Sequence, residues 1–164
     1  MNKNKCVIVR GISGSGKTTF LKKHFPEFAT VSADRFFMQD GVYRFDASKL
    51  TEAHAESIRN FAYMIQERTP LIAVDNTNLR VAEIAVYAQL ATAFDYDVYI
   101  FTLLINPVVA AARNVHSVPL DKVAISAYSM EALPPWLGQR QYLLTPDILD
   151  FRAREVVFGN QVAG

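Results

Sequence analysis

Along the chain, short unbroken apolar runs alternate with longer stretches in which apolar residues recur every three or four positions. "KCVIV" (Lys5–Val9) and "LIAVD" (Leu71–Asp75) are continuous apolar segments, the pattern of strands buried on both faces of a parallel sheet. "DVYIFTLL" (Asp97–Leu104) is a third such run, and the shorter "ATVSA" (Ala29–Ala33) and "EVVF" (Glu155–Phe158) complete the predicted strands. Between them lie helical patterns. Lys17–Phe25 is closed by Pro26, and Ser48–Arg68 places Leu50, His54, Ile58, Phe61 and Ile65 on one stripe. A helix capped by Asn78 is expected to reach about Phe94. Asn106–Pro107 offers an N-cap followed by proline at the first helical position, and Pro119 opens a helix to about Leu133, before "PPWLG" interrupts it.

Strand–helix alternation of this kind predicts an α/β fold, a parallel five-stranded sheet with helices on both faces. Ligands of such sheets sit beyond the carboxyl ends of the strands, and Asp34 and Asp75 are both expected at such ends. A length of 164 residues predicts one domain spanning the whole chain. The net charge of +1 argues against a protein that coats long nucleic acid but leaves room for contacts to an end. One cysteine, Cys6, lies inside an apolar run and cannot form an intrachain disulfide, which fits a reducing cytoplasm. No apolar run approaches membrane-spanning length, so no membrane partner is expected.

The strongest chemical signal is "GISGSGKT", Gly11 to Thr18, which fits G-x-x-x-x-G-K-[ST] between a predicted buried strand and a predicted helix. That context turns backbone N–H groups inward around phosphate oxygens and aims the positive end of a helix at them. Gly11, Ser13, Gly14, Ser15, Gly16, Lys17, Thr18 and Thr19 are therefore candidate nucleotide contacts. Lys17 supplies a charge to the β- and γ-phosphates of ATP, and the Thr18 hydroxyl is a candidate Mg²⁺ ligand. "LIAVDNTNLR" has the form of an apolar strand ending in an acid. Asp75 accordingly either holds the metal and its water shell, or orients a catalytic group, or caps the next helix, a place Asn78 fills better. Asp75 and Asn76 are counted as nucleotide contacts at the floor of the site, with Asp75 the second candidate metal ligand. Asp34 has two readings on residue type alone. It is the base that a kinase acting on an alcohol needs, or a turn aspartate ending a strand.

At this point the chain resembles the P-loop kinase family related to the kinase domain of phage polynucleotide 5′-kinase. The matching segments are "GISGSGKTT", "SADRFF", "GVYRFDASKLTEAHAESIRN", "VDNTNLRVAEIAVYAQLA" and "RNVHSVP", in that order from Lys5 to about Met130. The resemblance implies an adenylate-kinase-like P-loop NTPase fold with a short helical lid, here about 107–133. It also implies that Asp34 is the general base toward the acceptor, that Asp75 to Asn78 lie beside the phosphates, and that Arg113 is a lid arginine acting on them. Two positions depart from the phage pattern. Met38 stands near the place of an arginine that reads the acceptor's phosphate, with Arg35 and Arg44 nearby, and no second arginine follows Arg113 in the lid.

The expected activity is ATP-dependent transfer of the γ-phosphoryl group with Mg²⁺, most favourably to the 5′-OH of an RNA or DNA end. The alternatives are a small-molecule alcohol such as a nucleoside, sugar or antibiotic, or a non-catalytic ATP-binding module. His54 is a half-buried helix residue or an acceptor neighbour, and His116 stacks on a base or faces solvent. Phe36, Phe37, Tyr43 and Phe45 either stack an acceptor base or pin a loop to the core. Arg10 is expected to neutralise a nearby carboxylate, and Trp136 to pack at a chain reversal.

Overall fold

The structure, a computed structural model, describes residues 3–137, 140–145 and 151–159. In chain order it comprises β1 (Lys5–Arg10), α1 (Lys17–His24), β2 (Ala29–Val31), a short hairpin of β3 (Met38–Gln39) and β4 (Val42–Tyr43), α2 (Leu50–Gln66) and β5 (Leu71–Asp75). Then follow α3 (Val81–Ala93), β6 (Asp97–Leu103), α4 (Pro107–Arg113), α5 (Leu120–Tyr128), β7 (Gln141–Leu144) and α6 (Ala153–Phe158). Five strands form one parallel sheet in the order β2-β5-β1-β6-β7, the expected α/β, adenylate-kinase-like P-loop architecture.

The continuous apolar runs divide by parity, because successive strand residues point to opposite faces. Cys6 and Ile8 of β1, Ile72 and Val74 of β5, and Ile100 of β6 face α2 and α3, where they meet Phe61, Ile65, Ile84 and Tyr87. Val7, Val9, Ala73, Tyr99 and Phe101 face the other way, onto Leu21, Phe25 and Phe28 with Ala153 and Val157 of α6. Burying both faces leaves only the strand ends for chemistry. Among the described residues, no helix is long and apolar enough to cross a membrane.

Several expected elements differ. "EVVF" is part of α6, not the fifth strand, and Ala153 and Val157 bury the same helical face four residues apart. The edge strand is instead "QYLL", in which Tyr142 stacks on Phe101 at 5.2 Å and Leu144 joins the core. Asn78 does not cap α3. It adopts φ 49° and donates its amide to the Val9 carbonyl at 2.9 Å, so the helix starts after Arg80, whose N–H is accepted by Glu83 at 3.1 Å. The helix after Pro119 stops at Tyr128, because the Glu131 N–H is drawn to the Leu79 carbonyl. On α2 the buried stripe is Ala53, Ser57, Phe61 and Ile65, which turns Leu50 and His54 away from the core. Trp136 is exposed, and its neighbour Leu137 does the packing.

Arg10 is only 2 % exposed, and among the described residues its hydrogen bonds go to backbone carbonyls rather than to a carboxylate. Its guanidinium donates to the carbonyls of Asn78 (2.9 Å), Leu79 (2.7 Å) and Glu131 (2.8 Å). Burial lowers its pKa, partly offset by Glu131 and Glu83. The Glu131 carboxylate accepts the Val81 N–H at 2.6 Å, so one buried cation ties together β1, the loop after β5 and the segment after α5.

Candidate active site

Beyond the carboxyl ends of β1, β5 and β2 lies a cleft of about 500 Å³. Its floor is the turn between β1 and α1. Gly11 sits at φ 156° with its N–H on the Thr77 carbonyl at 3.0 Å, and a Cβ there would fall 2.6 Å from Ser15 Oγ. Gly14, at φ 80°, has no room for a side chain, because the backbone of Ala110 in α4 packs directly on it. Gly16, at φ 92°, faces open space. Helix α4 thus rests on one glycine of the loop, while another is left free for a ligand.

Lys17 enters this turn and donates to the carbonyls of Gly11 and Ile12, each at 3.0 Å. Burial pulls its pKa down, opposed by the charges of Asp75 and Asp34. Residues Val9 and Asp75 are register partners in the sheet, so the acid ending β5 arrives beside the loop that follows β1. The Thr18 hydroxyl donates to Asp75 Oδ2 at 2.7 Å. Burial raises the Asp75 carboxyl, while Thr18 and Lys17 hold it down. Two oxygen donors in contact, one of them anionic, suit a hard divalent cation such as Mg²⁺. Among the described residues there is no cluster of three or more His, Cys, Asp and Glu that would hold a metal alone.

Two buried polar atoms find no partner among the described residues, Ser15 Oγ in the loop and Asn114 Nδ2 at the end of α4. Each such group costs about 1–3 kcal/mol, which a phosphate or ribose oxygen would relieve. With the open approach over Gly16, these residues fit a bound nucleoside triphosphate. Ser13 and Thr19 line the same cleft, as does Arg113 at the end of α4, whose guanidinium has no ion-pair partner among the described residues. Asn76 also reaches the cleft, but its side chain is committed elsewhere. Its Oδ1 accepts the Ala33 N–H at 2.8 Å, and its amide faces Tyr87 at 3.3 Å and Ser57 at 3.5 Å. Asn76 therefore clamps the segment that carries Asp34.

Asp34 lies in a 3₁₀ turn after β2, capped by Ser32, rather than at the strand end itself. Because β2 pairs with β5, it opens onto the cleft that holds Lys17 and Asp75. Its carboxylate is 60 % exposed and accepts the Tyr43 hydroxyl at 3.3 Å. Burial, then Asp34, pushes the Tyr43 phenol up to about 12. Tyr43 returns to Asp34 through the β3–β4 hairpin, whose Asp40 and Gly41 both have positive φ. The pair "DG" between the two short strands is the sequence signal for that turn, and it escaped the reading of this stretch as a loop. Phe37 is buried and holds Tyr43 and Phe45 edge-on or tilted, so the aromatics both pin the loop and line the cleft. Leu50 and His54 complete that side.

A family model described as an AAA domain matches residues 6–117. Human NEDD4-binding protein 2 is 31% identical over 124 residues, which is 71% of this chain and 7% of that protein, so the chain spans a small part of its curated relative. Among solved structures, a gluconokinase from Sinorhizobium meliloti 1021 superposes with a TM-score of 0.64 at 16% identity, covering 97% of this chain and 93% of that one. Kti12 from Chaetomium thermophilum, solved with ADP-AlF3, superposes with a TM-score of 0.66 at 14% identity, covering 92% and 94%. The glycine turn, the lysine inside it and the Thr18–Asp75 contact occupy the matched span, and the chain belongs to this AAA domain family, as a P-loop domain of kinase-like fold.

Proposed function

We propose that this domain is an ATP-dependent phosphotransferase that moves the γ-phosphoryl group to an acceptor hydroxyl. One observation carries the reading: a single cleft holds Lys17, the Thr18–Asp75 pair and the exposed Asp34 carboxylate, which lies near enough to act on the charges of Lys17 and Asp75. Lys17 and Arg113 offset charge on the triphosphate, and the loop glycines let its oxygens reach backbone N–H groups. Thr18 and Asp75 are the residues that would hold Mg²⁺, which when bound neutralises charge on the β- and γ-phosphates. Asp34 aligns the acceptor hydroxyl and takes its proton. Positioning and electrostatics do most of this chemistry.

The acceptor we favour is the 5′-OH of an RNA or DNA end, on the resemblance of the segments around Asp34 and Arg113. A second reading, a small alcohol such as a nucleoside, draws on the character of the acceptor side. Among the described residues, the Lys and Arg side chains lining the cleft are Lys17 and Arg113, whereas Phe37, Tyr43, Phe45, Leu50 and His54 line the region around Asp34. Arg35 and Arg44 are exposed outside it. A cytoplasmic setting accompanies both readings, in keeping with the buried free thiol of Cys6.

Transfer from γ-labelled ATP to a 5′-OH oligonucleotide, compared with nucleosides and sugars, tests the reading. Asp34→Asn is expected to keep ATP binding and lose at least ~10²-fold in transfer rate, the usual worth of a general base. Full activity in that variant would remove Asp34 from the chemistry.

A further inference from the structure

The loop between α4 and α5 carries more than Arg113. Asn114 ends α4, and its Oδ1 accepts the N–H of His116 at 2.9 Å, while Ser117 closes the turn at φ 54°. This turn brings both Val115, which stays largely exposed, and the less exposed His116 to the wall of the cleft. There the imidazole stacks on Tyr43, with ring centroids 4.0 Å apart and 28° between planes. Its Nε2 lies 3.7 Å from Asp34 Oδ2, while Tyr43 holds Asp34 Oδ1. Both oxygens of the carboxylate are therefore addressed, one from the hairpin and one from the lid, and the carboxylate is still open to the cleft.

We propose that His116 is a positioning residue for phosphoryl transfer, which acts through Asp34 and Tyr43 and joins the lid to the base. The proposal rests on the reading of Asp34 as the base. Arg113 and His116 belong to one short segment, so a lid that settles over the triphosphate also fixes the rotamer of Asp34. The stack restrains the Tyr43 ring, and the ring restrains the carboxylate. Catalytic alignment of the acceptor then depends on nucleotide-side closure without His116 touching either substrate.

Transfer from γ-labelled ATP to a 5′-OH oligonucleotide and to adenosine, side by side, is the kinetic arm. For the acceptor that is labelled, His116→Ala is expected to lower kcat roughly tenfold with the KM for ATP changed less than about twofold, the signature of lost orientation rather than lost binding. His116→Gln, which keeps an N–H donor, should recover much of the rate, and His116→Phe, which keeps only the stack, should not. Adding His116→Ala to Asp34→Asn should cost less than about twofold more, since the two act as a unit. Wild-type rates in His116→Phe, or an undiminished loss in the Asp34→Asn background, would overturn the proposal.

A second arm needs no turnover. The ring resonances of His116 in an NMR spectrum should move on Asp34→Asn and lose their upfield ring-current shift on Tyr43→Leu; unmoved signals in both variants would refute the contact. Should Asp34→Asn prove fully active while those signals move, the base assignment fails and the His116–Asp34 contact stands as structural only, which also overturns a positioning role. If His116→Ala does not fold, Tyr43→Phe takes its place, with a several-fold loss in kcat expected and an unchanged kcat counting against the idea.

Discussion

Two glycines of the same loop should respond differently to the same methyl group. Both Gly14 (φ 80°) and Gly16 (φ 92°) adopt backbone conformations that cost an L-residue about 1–2 kcal/mol. Alanine also restricts the unfolded chain, which returns about 0.4–1 kcal/mol. Gly16→Ala, whose new Cβ meets nothing within 4 Å, should therefore cost only about 1 kcal/mol of stability. Gly14→Ala carries the same backbone cost, but its Cβ would lie 2.8 Å from the Ala110 carbonyl carbon and closer still to its oxygen. Backbone cannot rotate aside as a side-chain tip can, so α4 must shift, an overpacking cost of about 1–3 kcal/mol more. For a chain of this size the extra cost is about 2–12 °C in melting temperature. Thermal unfolding followed by far-ultraviolet circular dichroism reads the difference, and titration with a fluorescent ATP analogue reads nucleotide affinity. Gly16→Ala should weaken the nucleotide more than its stability loss suggests, because it fills the open approach to the loop. Equal melting temperatures for the two variants would refute the account of Gly14 as the seat of the lid.

Removing the Asp75 charge tests the tension between stability and function. Burial raises its folded pKa, so the neutral form is favoured in the fold, and its contribution to stability is greatest below the ordinary carboxylate range and is lost as pH rises through the raised value. Asp75→Asn should thus melt higher than wild type at pH 7 without Mg²⁺, with the gap closing in acid, yet lose Mg²⁺-dependent activity; equal melting at pH 7 would count against burial as the cause. Lys17→Ala should abolish turnover and weaken nucleotide binding, measured by calorimetry with ATP. Arg113→Ala should slow transfer more than it weakens binding, and the reverse in a steady-state assay would make it a docking residue. Arg10→Met should cost about 3 kcal/mol in urea unfolding, because three buried or part-buried carbonyls lose a charged donor.

The parts of the molecule legible in the sequence are those where local chemistry and periodicity agree. Unbroken apolar runs marked β1, β5 and β6 because a central parallel strand is buried on both faces whatever its neighbours. The glycine-lysine turn was legible because its chemistry is local, held within the eight residues from Gly11 to Thr18. The edge was not. "EVVF" and "QYLL" are both short and apolar, and only pairing with β6 makes the second a strand, while the first joins the same core as a helix face. The bonds of Asn78 and Arg10 escaped for a similar reason. Each has polar groups that a local rule would spend on a cap or a carboxylate, whereas the tertiary structure offers them backbone carbonyls of distant segments.

Asp34 shows the division most plainly. Residue type left it a base or a turn aspartate, and family resemblance favoured the first. The chain alone determined that an acid follows a short β-branched run and that aromatics follow the acid. Only the pairing of β2 with β5 brought that acid onto the cleft of Lys17, and only the hairpin and the lid turn brought Tyr43 and His116, 9 and 82 residues further along (43 − 34 and 116 − 34), against its two oxygens. The hairpin had its local signal in "DG", whereas a contact as distant as that of His116 leaves no periodic trace in a single sequence, because each partner's local pattern is already satisfied by its own turn or strand.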